Sequence, residues 1–193
     1  MSLRGLRRAW RVLPGAASAD EKAAQVFSRA SPSVYSIIAT GADGQTMLGS
    51  GVVVADERIA TNYHVIKNAQ SVRVRHGNDE SAATIEASDP RHDLAMLLAP
   101  GVHAPAATIG QTAAVEVGQT VYAIGAPRGL ELSFSEGLVS SLRSTADGNV
   151  IQTTASISPG SSGGGLFDAQ GRLLAFTTAQ VVDVQNLNFA VPV

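Results

Sequence analysis

The feature that most constrains this chain is the rhythm of its body. From Ser33 onward, short runs rich in Val, Ile, Leu and Thr alternate with turn dipeptides such as Asp43-Gly44, Asp89-Pro90, Asp147-Gly148 and Gln170-Gly171. Runs of this length and spacing read as β-strands. Candidate strands fall at 34–39, 47–54, 58–61, 71–75, 82–87 and 93–98, then at 120–124, 131–139, 150–154, 164–168, 172–178 and 187–191. The two sets of six flank a connector, Pro100 to Gly118, with two prolines, three glycines and many alanines. With no helical pattern between the strands, βαβ units are disfavoured and an all-β sandwich or closed barrel is expected.

A chain of 193 residues, 45% of them hydrophobic, can bury a proper core as one domain or as one fold built from two similar halves. Only 16% are charged and the net charge is −2, so no global field recruits nucleic acid. Cysteine is absent, which excludes disulfides, thiolate chemistry and Cys-ligated zinc. No apolar run approaches the ~18 to 20 residues of a membrane-spanning helix.

Residues 1 to 19 differ from the rest. Arg4, Arg7, Arg8 and Arg11 precede the first acid, and Ala17-Ser18-Ala19 resembles a signal-peptidase site, but Arg11 and Pro14 break the apolar centre a secretory signal needs. The stretch reads as a basic arm or a leader remnant. A short helix is expected over 20–31: Ser18 and Glu21 have capping-box spacing, Ala23, Val26, Phe27 and Ala30 repeat on one face, and Ser31-Pro32 ends it.

The segment Ser158-Pro159-Gly160-Ser161-Ser162-Gly163-Gly164-Gly165-Leu166 is the most informative for chemistry, because glycines around a serine let the backbone bend and expose amide N–H groups. A flexible linker would not ordinarily sit between two strand-like runs, and no Lys follows to make a phosphate loop. Gly160-x-Ser162-x-Gly164 also fits a nucleophile elbow, but that arrangement needs a downstream histidine, and the last one is His103. A base for Ser162 must therefore lie upstream. None of His64, His76, His92 and His103 pairs at zinc-motif spacing, so no metal is expected. His64, in Ala60-Thr61-Asn62-Tyr63-His64-Val65, directly follows a strand, where a rigid scaffold can aim an imidazole. Asp93, in Asp89-Pro90-Arg91-His92-Asp93-Leu94-Ala95-Met96-Leu97, opens an apolar strand and would need a hydrogen-bonded partner if buried. Each residue alone also has an ordinary structural reading.

Taken together and in this order, His64, Asp93 and Ser162 in a two-part all-β chain resemble the chymotrypsin-like serine proteases. Within them the chain is similar to the HtrA (DegP/DegQ) branch, through Thr-Asn-x-His-Val, Asp-Leu-Ala-x-Leu, Gly49-Ser50-Gly51-Val52-Val53, Ala123-Ile124-Gly125-Ala126-Pro127-Arg128-Gly129-Leu130, Glu136-Gly137-Leu138-Val139-Ser140 and Asn188-Phe189-Ala190-Val191-Pro192. The resemblance implies two six-stranded antiparallel β-barrels with a short N-terminal helix, the first barrel at about 33–99, a linker at about 100–118 and the second barrel at about 119–193.

It also implies roles. Ser162 is the nucleophile, His64 the general base, Asp93 the group that orients the imidazole, and the N–H groups of Gly160 and Ser162 form the oxyanion hole. Thr177, Thr178 and Ala179 would pair the substrate backbone as an added strand. Ile157 would line a pocket whose approach, 154–159, carries no charge, which favours a small or medium aliphatic side chain before the scissile bond. No cofactor is expected. Partners would be polypeptides, unfolded or misfolded, with no nucleic acid and no membrane insertion. By analogy a homotrimer would form through the N-terminal segment, and the location would be periplasmic or secreted. A catalytically silent chaperone-like module on the same fold, or an esterase, are the rival readings. Two positions depart from the usual Gly-Asn-Ser-Gly-Gly-Pro: Ser161 replaces the residue before the nucleophile, and Gly165 replaces the proline, which removes a φ constraint. The chain ends at Val193 without the PDZ domain that usually follows, so it reads as an isolated protease domain or a short natural product.

Overall fold

The computed structural model describes residues 19–126, 132–146, 148–178 and 188–193. One helix, α1 (Ala19–Ala30), precedes the strands β1 (Val34–Gly41), β2 (Thr46–Ala55), β3 (Arg58–Thr61), β4 (Ala69–His76), β5 (Asp79–Asp89) and β6 (Leu94–Leu98). A second set follows: β7 (Thr120–Gly125), β8 (Ser133–Thr145), β9 (Gly148–Thr153), β10 (Gly165–Phe167), β11 (Leu173–Thr178) and β12 (Asn188–Pro192). Each set closes into an antiparallel barrel, in the orders β1-β2-β3-β6-β5-β4 and β7-β8-β9-β12-β11-β10, so the second half repeats the topology of the first. This is the chymotrypsin-like double barrel.

Alternation along the strands explains how two barrels become one rigid body. Side chains on successive strand residues point to opposite faces. In β2, Val53 enters the first barrel's core with Ile37, Ile59 and Leu97, while Val52 points the other way. In the second half, Leu166 and Leu174 enter the second barrel's core, while their neighbours Phe167 and Leu173 point out of it. The outward set, Val34, Val52, Ala60, Tyr122, Ile124, Phe167, Leu173 and Phe176, forms a third buried layer between the barrels. Both faces of these strands are therefore covered, which accounts for continuous apolar runs such as Gly51-Val52-Val53.

Helix α1 completes this layer with Val26 and Ala30, and Phe27 sits edge-on to Phe134 with ring centroids 5.5 Å apart. It stops where Pro32 forbids continuation; a 3₁₀ turn at Ser31–Ser33 takes over, with the Ser33 hydroxyl donating to the Ala30 carbonyl at 2.8 Å. The expected capping residue, Ser18, lies outside the described residues. The connector crosses from one barrel to the other: the Ala107 N–H donates to the Val53 carbonyl at 2.8 Å, and Gly110 N–H to that of Leu173 at 2.8 Å. Among the described residues no helix is long and apolar enough to cross a membrane.

The sequence shows no helical pattern between strands, yet among the described residues one short α-helix interrupts them. This is α2 (Tyr63–Ile66), a single turn that escapes pattern recognition because four residues cannot display a helical period. It matters, because it carries His64.

Candidate active site

Local sequence sets each side chain of the site. After β3, extended Asn62 leads into α2, whose Val65 and Ile66 are buried in the first barrel and hold the turn in place. His64 is left facing out, its side chain 31% exposed. Two glycines of β2 allow this close packing: a Cβ on Gly49 would lie 2.5 Å from Val65, and one on Gly51 2.5 Å from Ile59.

Asp93 lies one residue before β6, not in the strand. Its backbone is left-handed, with φ of 55°, a conformation that a non-glycine residue holds only when its surroundings fix it. Here the Asp93 carbonyl accepts from the Tyr63 N–H at 3.1 Å and from Asn62 Nδ2 at 2.9 Å. Asn62 is fully buried, and its Oδ1 has no partner among the described residues. The carboxylate is then aimed at α2. Oδ1 accepts the His64 backbone N–H at 2.8 Å, and Oδ2 meets His64 Nδ1 at 2.7 Å and accepts from the Thr178 hydroxyl at 3.0 Å. Half-burial works to raise the Asp93 pKa, but the hydrogen bonds and charge of His64, with the Thr178 hydroxyl, outweigh it and hold the carboxyl below its ordinary value. An ionised carboxylate only accepts, so the neutral imidazole keeps its proton on Nδ1 and presents a bare Nε2 lone pair.

Ser162 belongs to the tight loop between β9 and β10. Ser161 N–H bonds the Ser158 carbonyl at 2.9 Å, and Gly164 N–H bonds that of Ser161 at 2.9 Å. The loop is docked on both barrels. Ser50 of β2 donates its N–H to the Ser162 carbonyl at 2.8 Å, and Gly163 donates to the Thr177 carbonyl of β11 at 2.7 Å. Gly163, at φ of 85°, presses so tightly on the first barrel that a Cβ there would lie 2.2 Å from the Ser50 carbonyl oxygen and 3.0 Å from the Asn62 nitrogen. The serine loop thus abuts the residues that lead into α2. No hydrogen bond joins Ser162 Oγ to His64 among the described residues. Gly160 also has positive φ, 94°, and neither its N–H nor that of Ser162 meets an acceptor among the described residues, although the carbonyls of Gly160, Ser161 and Ser162 are all taken.

The remaining expected residues fall differently. Ile157 is 3% exposed and packs in the second barrel's core. Thr177 is buried, with its N–H, carbonyl and hydroxyl all bonded within the chain, so it grips the serine loop and has no group left over for an added strand. Thr178 supports Asp93, and Ala179 lies outside the described residues. Gly165 is the first residue of β10, where a Cβ would meet the Phe167 ring at 2.3 Å. Ser50, Thr61 and Asn62 are the participants that residue-type reasoning passed over. The sole signal for Ser50 was its flanking glycines.

The geometry can be set beside known proteins. A family model described as the trypsin-like peptidase domain matches residues 49–176. A probable periplasmic serine endoprotease, DegP-like, of Pseudomonas putida is 34% identical over 155 residues, covering 76% of this chain and 32% of that protein. The magnetosome formation protease MamE of Magnetospirillum gryphiswaldense is 37% identical over 160 residues, covering 75% of this chain and 21% of its own. Among solved structures, the HtrA-type protease AlgW with tripeptide aligns with a TM-score of 0.82 at 34% identity, covering 88% of this chain and 59% of that one. The chain therefore spans about a third of the first of these relatives. A family model across both barrels and a shared double-barrel fold agree, with relatives above 30% identity that are HtrA-type proteases: the chain belongs to the trypsin-like peptidases.

Proposed function

We propose that this chain is a serine endopeptidase domain in which Ser162, His64 and Asp93 act as a catalytic triad. The observation that carries the reading is the coupled His64 and Asp93 pair, beside a serine loop whose Gly160 and Ser162 amides meet no acceptor among the described residues. Ser162 Oγ attacks the carbonyl carbon of the scissile peptide as its proton passes to His64 Nε2. The resulting oxyanion is held by the N–H groups of Gly160 and Ser162. His64 then gives that proton to the departing amine as the C–N bond breaks, leaving an acyl ester on Ser162. Water, deprotonated by the same nitrogen, releases the acid and restores the hydroxyl. Asp93, held ionised, stabilises the imidazolium formed in each half-reaction.

The substrate is an extended segment of an unfolded polypeptide, paired along the chain that follows Thr178, at Ala179. The approach to the serine loop, 154–159, carries no charged side chain, so the pocket beside Ser162 takes an aliphatic side chain, with Ile157 in the barrel core behind it. With relatives named as periplasmic enzymes, the chain works in the periplasm or outside the cell, and residues 1 to 30 are where a homotrimer would assemble. Proteolysis is tested with an unfolded model protein and with a serine-directed fluorophosphonate. New peptide termini, and an adduct on Ser162 that disappears in His64→Ala, are expected. A substrate kept soluble but intact, with no adduct, would replace the protease reading by a holdase one. Turnover of esters but not of peptides would make the chain an esterase.

A further inference from the structure

The two amides assigned to the oxyanion hole are useful only if their peptide planes are held in the right orientation before substrate arrives. A glycine-rich loop does not supply that by itself, since Gly160 and Gly163 both sit at positive φ, a region glycine enters and leaves at little cost. Something outside the loop must fix it, and the hydrogen bonds identify what does.

The peptide joining Ser161 to Ser162 carries the Ser162 N–H on one side and the Ser161 carbonyl on the other. That carbonyl accepts from the Thr177 hydroxyl at 2.6 Å, in a contact buried from solvent. The preceding plane, between Gly160 and Ser161, is pinned at both ends: the Gly160 carbonyl accepts from the Ser50 hydroxyl at 2.8 Å, and the Ser161 N–H reaches the Ser158 carbonyl. The Gly160 N–H hangs from this plane across a single α-carbon. Ser50 is itself locked. Its hydroxyl oxygen accepts from the Ala126 N–H at 2.8 Å, its carbonyl accepts from the Thr61 hydroxyl at 2.6 Å, and it is fully buried. One hydroxyl comes from β2 of the first barrel and the other from β11 of the second.

We infer that Ser50 and Thr177 are positioning residues for the oxyanion hole: their two hydroxyls, one from each barrel, hold consecutive peptide planes so that the Gly160 and Ser162 amides face the site. This rests on the protease reading above and adds to it the groups that make the hole. Both hydroxyls are spent on loop carbonyls and neither is bonded to the imidazole. Their effect falls on the transition state, where charge gathers on the carbonyl oxygen, and not on ground-state binding.

Thr177→Val removes the hydroxyl at nearly constant volume, and Thr177→Ser keeps it. With wild-type turnover and Ser162 labelling established first, kcat for Thr177→Val should fall about 10- to 100-fold, less than the 10² to 10³ of deleting a donor outright, with KM within about twofold. A peptide aldehyde, whose adduct with Ser162 mimics the oxyanion, should weaken by the same factor, while a product peptide binds as before. Thr177→Ser should recover activity to within about threefold, Ser50→Ala should behave as Thr177→Val does, and the pH profile should keep its wild-type midpoint. An active wild type with folded Thr177→Val and Ser50→Ala at full kcat and aldehyde affinity would overturn this inference alone, whereas a wild type that neither cuts nor labels would overturn the protease reading and this with it. Equal loss in Thr177→Val and Thr177→Ser would also overturn it, since the hydroxyl would then not be the cause. Should Ser50→Ala lose its cooperative melt, the Thr177 pair decides.

Discussion

Gly163→Ala tests how closely the serine loop must sit on the first barrel. The added methyl would stand 2.2 Å from the Ser50 carbonyl oxygen and 2.4 Å from Thr61 Oγ1, both in a buried stretch of β2 and β3. A carbon approaches a carbonyl oxygen to about 3.3 Å at best, so loop and strand must part by roughly 1 Å. Backbone strain adds to this, because φ is 85° and a left-handed conformation costs an L-residue about 1 to 2 kcal/mol. Parting breaks the bond from the Ser50 N–H to the Ser162 carbonyl and moves Ser162, the proposed nucleophile, by a similar distance. A 1 Å displacement of a reacting group costs about 10² in rate, and overpacking of this kind about 1 to 3 kcal/mol of stability. The assay compares the rate of fluorophosphonate labelling at Ser162, and kcat/KM on an unfolded protein, with urea unfolding of the same variant. Gly44→Ala is the control. Gly44 also has positive φ, 75°, but nothing lies within 4 Å of the would-be Cβ, so it should lose about 1 kcal/mol of stability and no labelling rate. Gly163→Ala labelling within threefold of wild type would refute the claim that the contact between the barrels positions the nucleophile.

Two further substitutions can be checked alongside. Asp93→Asn should cut kcat by about 10⁴-fold, because the amide can donate to Nδ1 and so stabilise the tautomer with the proton on the wrong nitrogen; steady-state kinetics with a labelled peptide decides. Its carboxyl is held below the unfolded value of 3.8, so the stability it lends is fully present above that pH and is lost as pH falls through the lower folded value. The stability that this carboxyl lends should therefore be present at pH 5 and lost below about pH 4 in urea melts of wild type against Asp93→Asn. Asp168, almost completely buried, accepts the N–H groups of Gln170 and Arg172 at 2.9 Å each and pairs with Arg172 Nε at 2.6 Å. Asp168→Ala strands those donors and should cost about 2 to 4 kcal/mol by urea denaturation, with kcat of the folded fraction unchanged.

Much of this architecture was legible because strands announce themselves by composition and by the turns that separate them. The inferred runs differ from the observed strands mainly at their ends. β8 continues to Thr145, where solvent-facing Ser140, Arg143 and Ser144 hide a strand that pairs with β9 through Gly148. Polar residues on an exposed strand look like a loop. Asp93 fell just outside β6 for a different reason: its positive φ is imposed by Asn62 and Tyr63, thirty residues earlier, and no local preference of Asp-Leu-Ala signals it.

The same distinction separates what could and could not be seen of the site. His64, Asp93 and Ser162 are legible because their side-chain chemistry is unusual in the setting where each occurs. Thr177 and Ser50 are not, because what they do depends on which carbonyl lies opposite them once two barrels have packed. A threonine in an apolar strand, Leu173-Leu174-Ala175-Phe176-Thr177, reads as β-propensity or as a substrate contact, and nothing in the run shows that its hydroxyl meets the Ser161 carbonyl. The apolar layer of Val52, Ala60, Ile124, Phe167 and Phe176 gives that hydroxyl a fixed target, since it sets the distance between β2 and β11, and hence the space in which the serine loop must fit. On the proposed mechanism, the barrels' hydrophobic contact is in this sense part of the chemistry. A side chain that loosens the layer would let the amides drift even with every polar residue of the site intact.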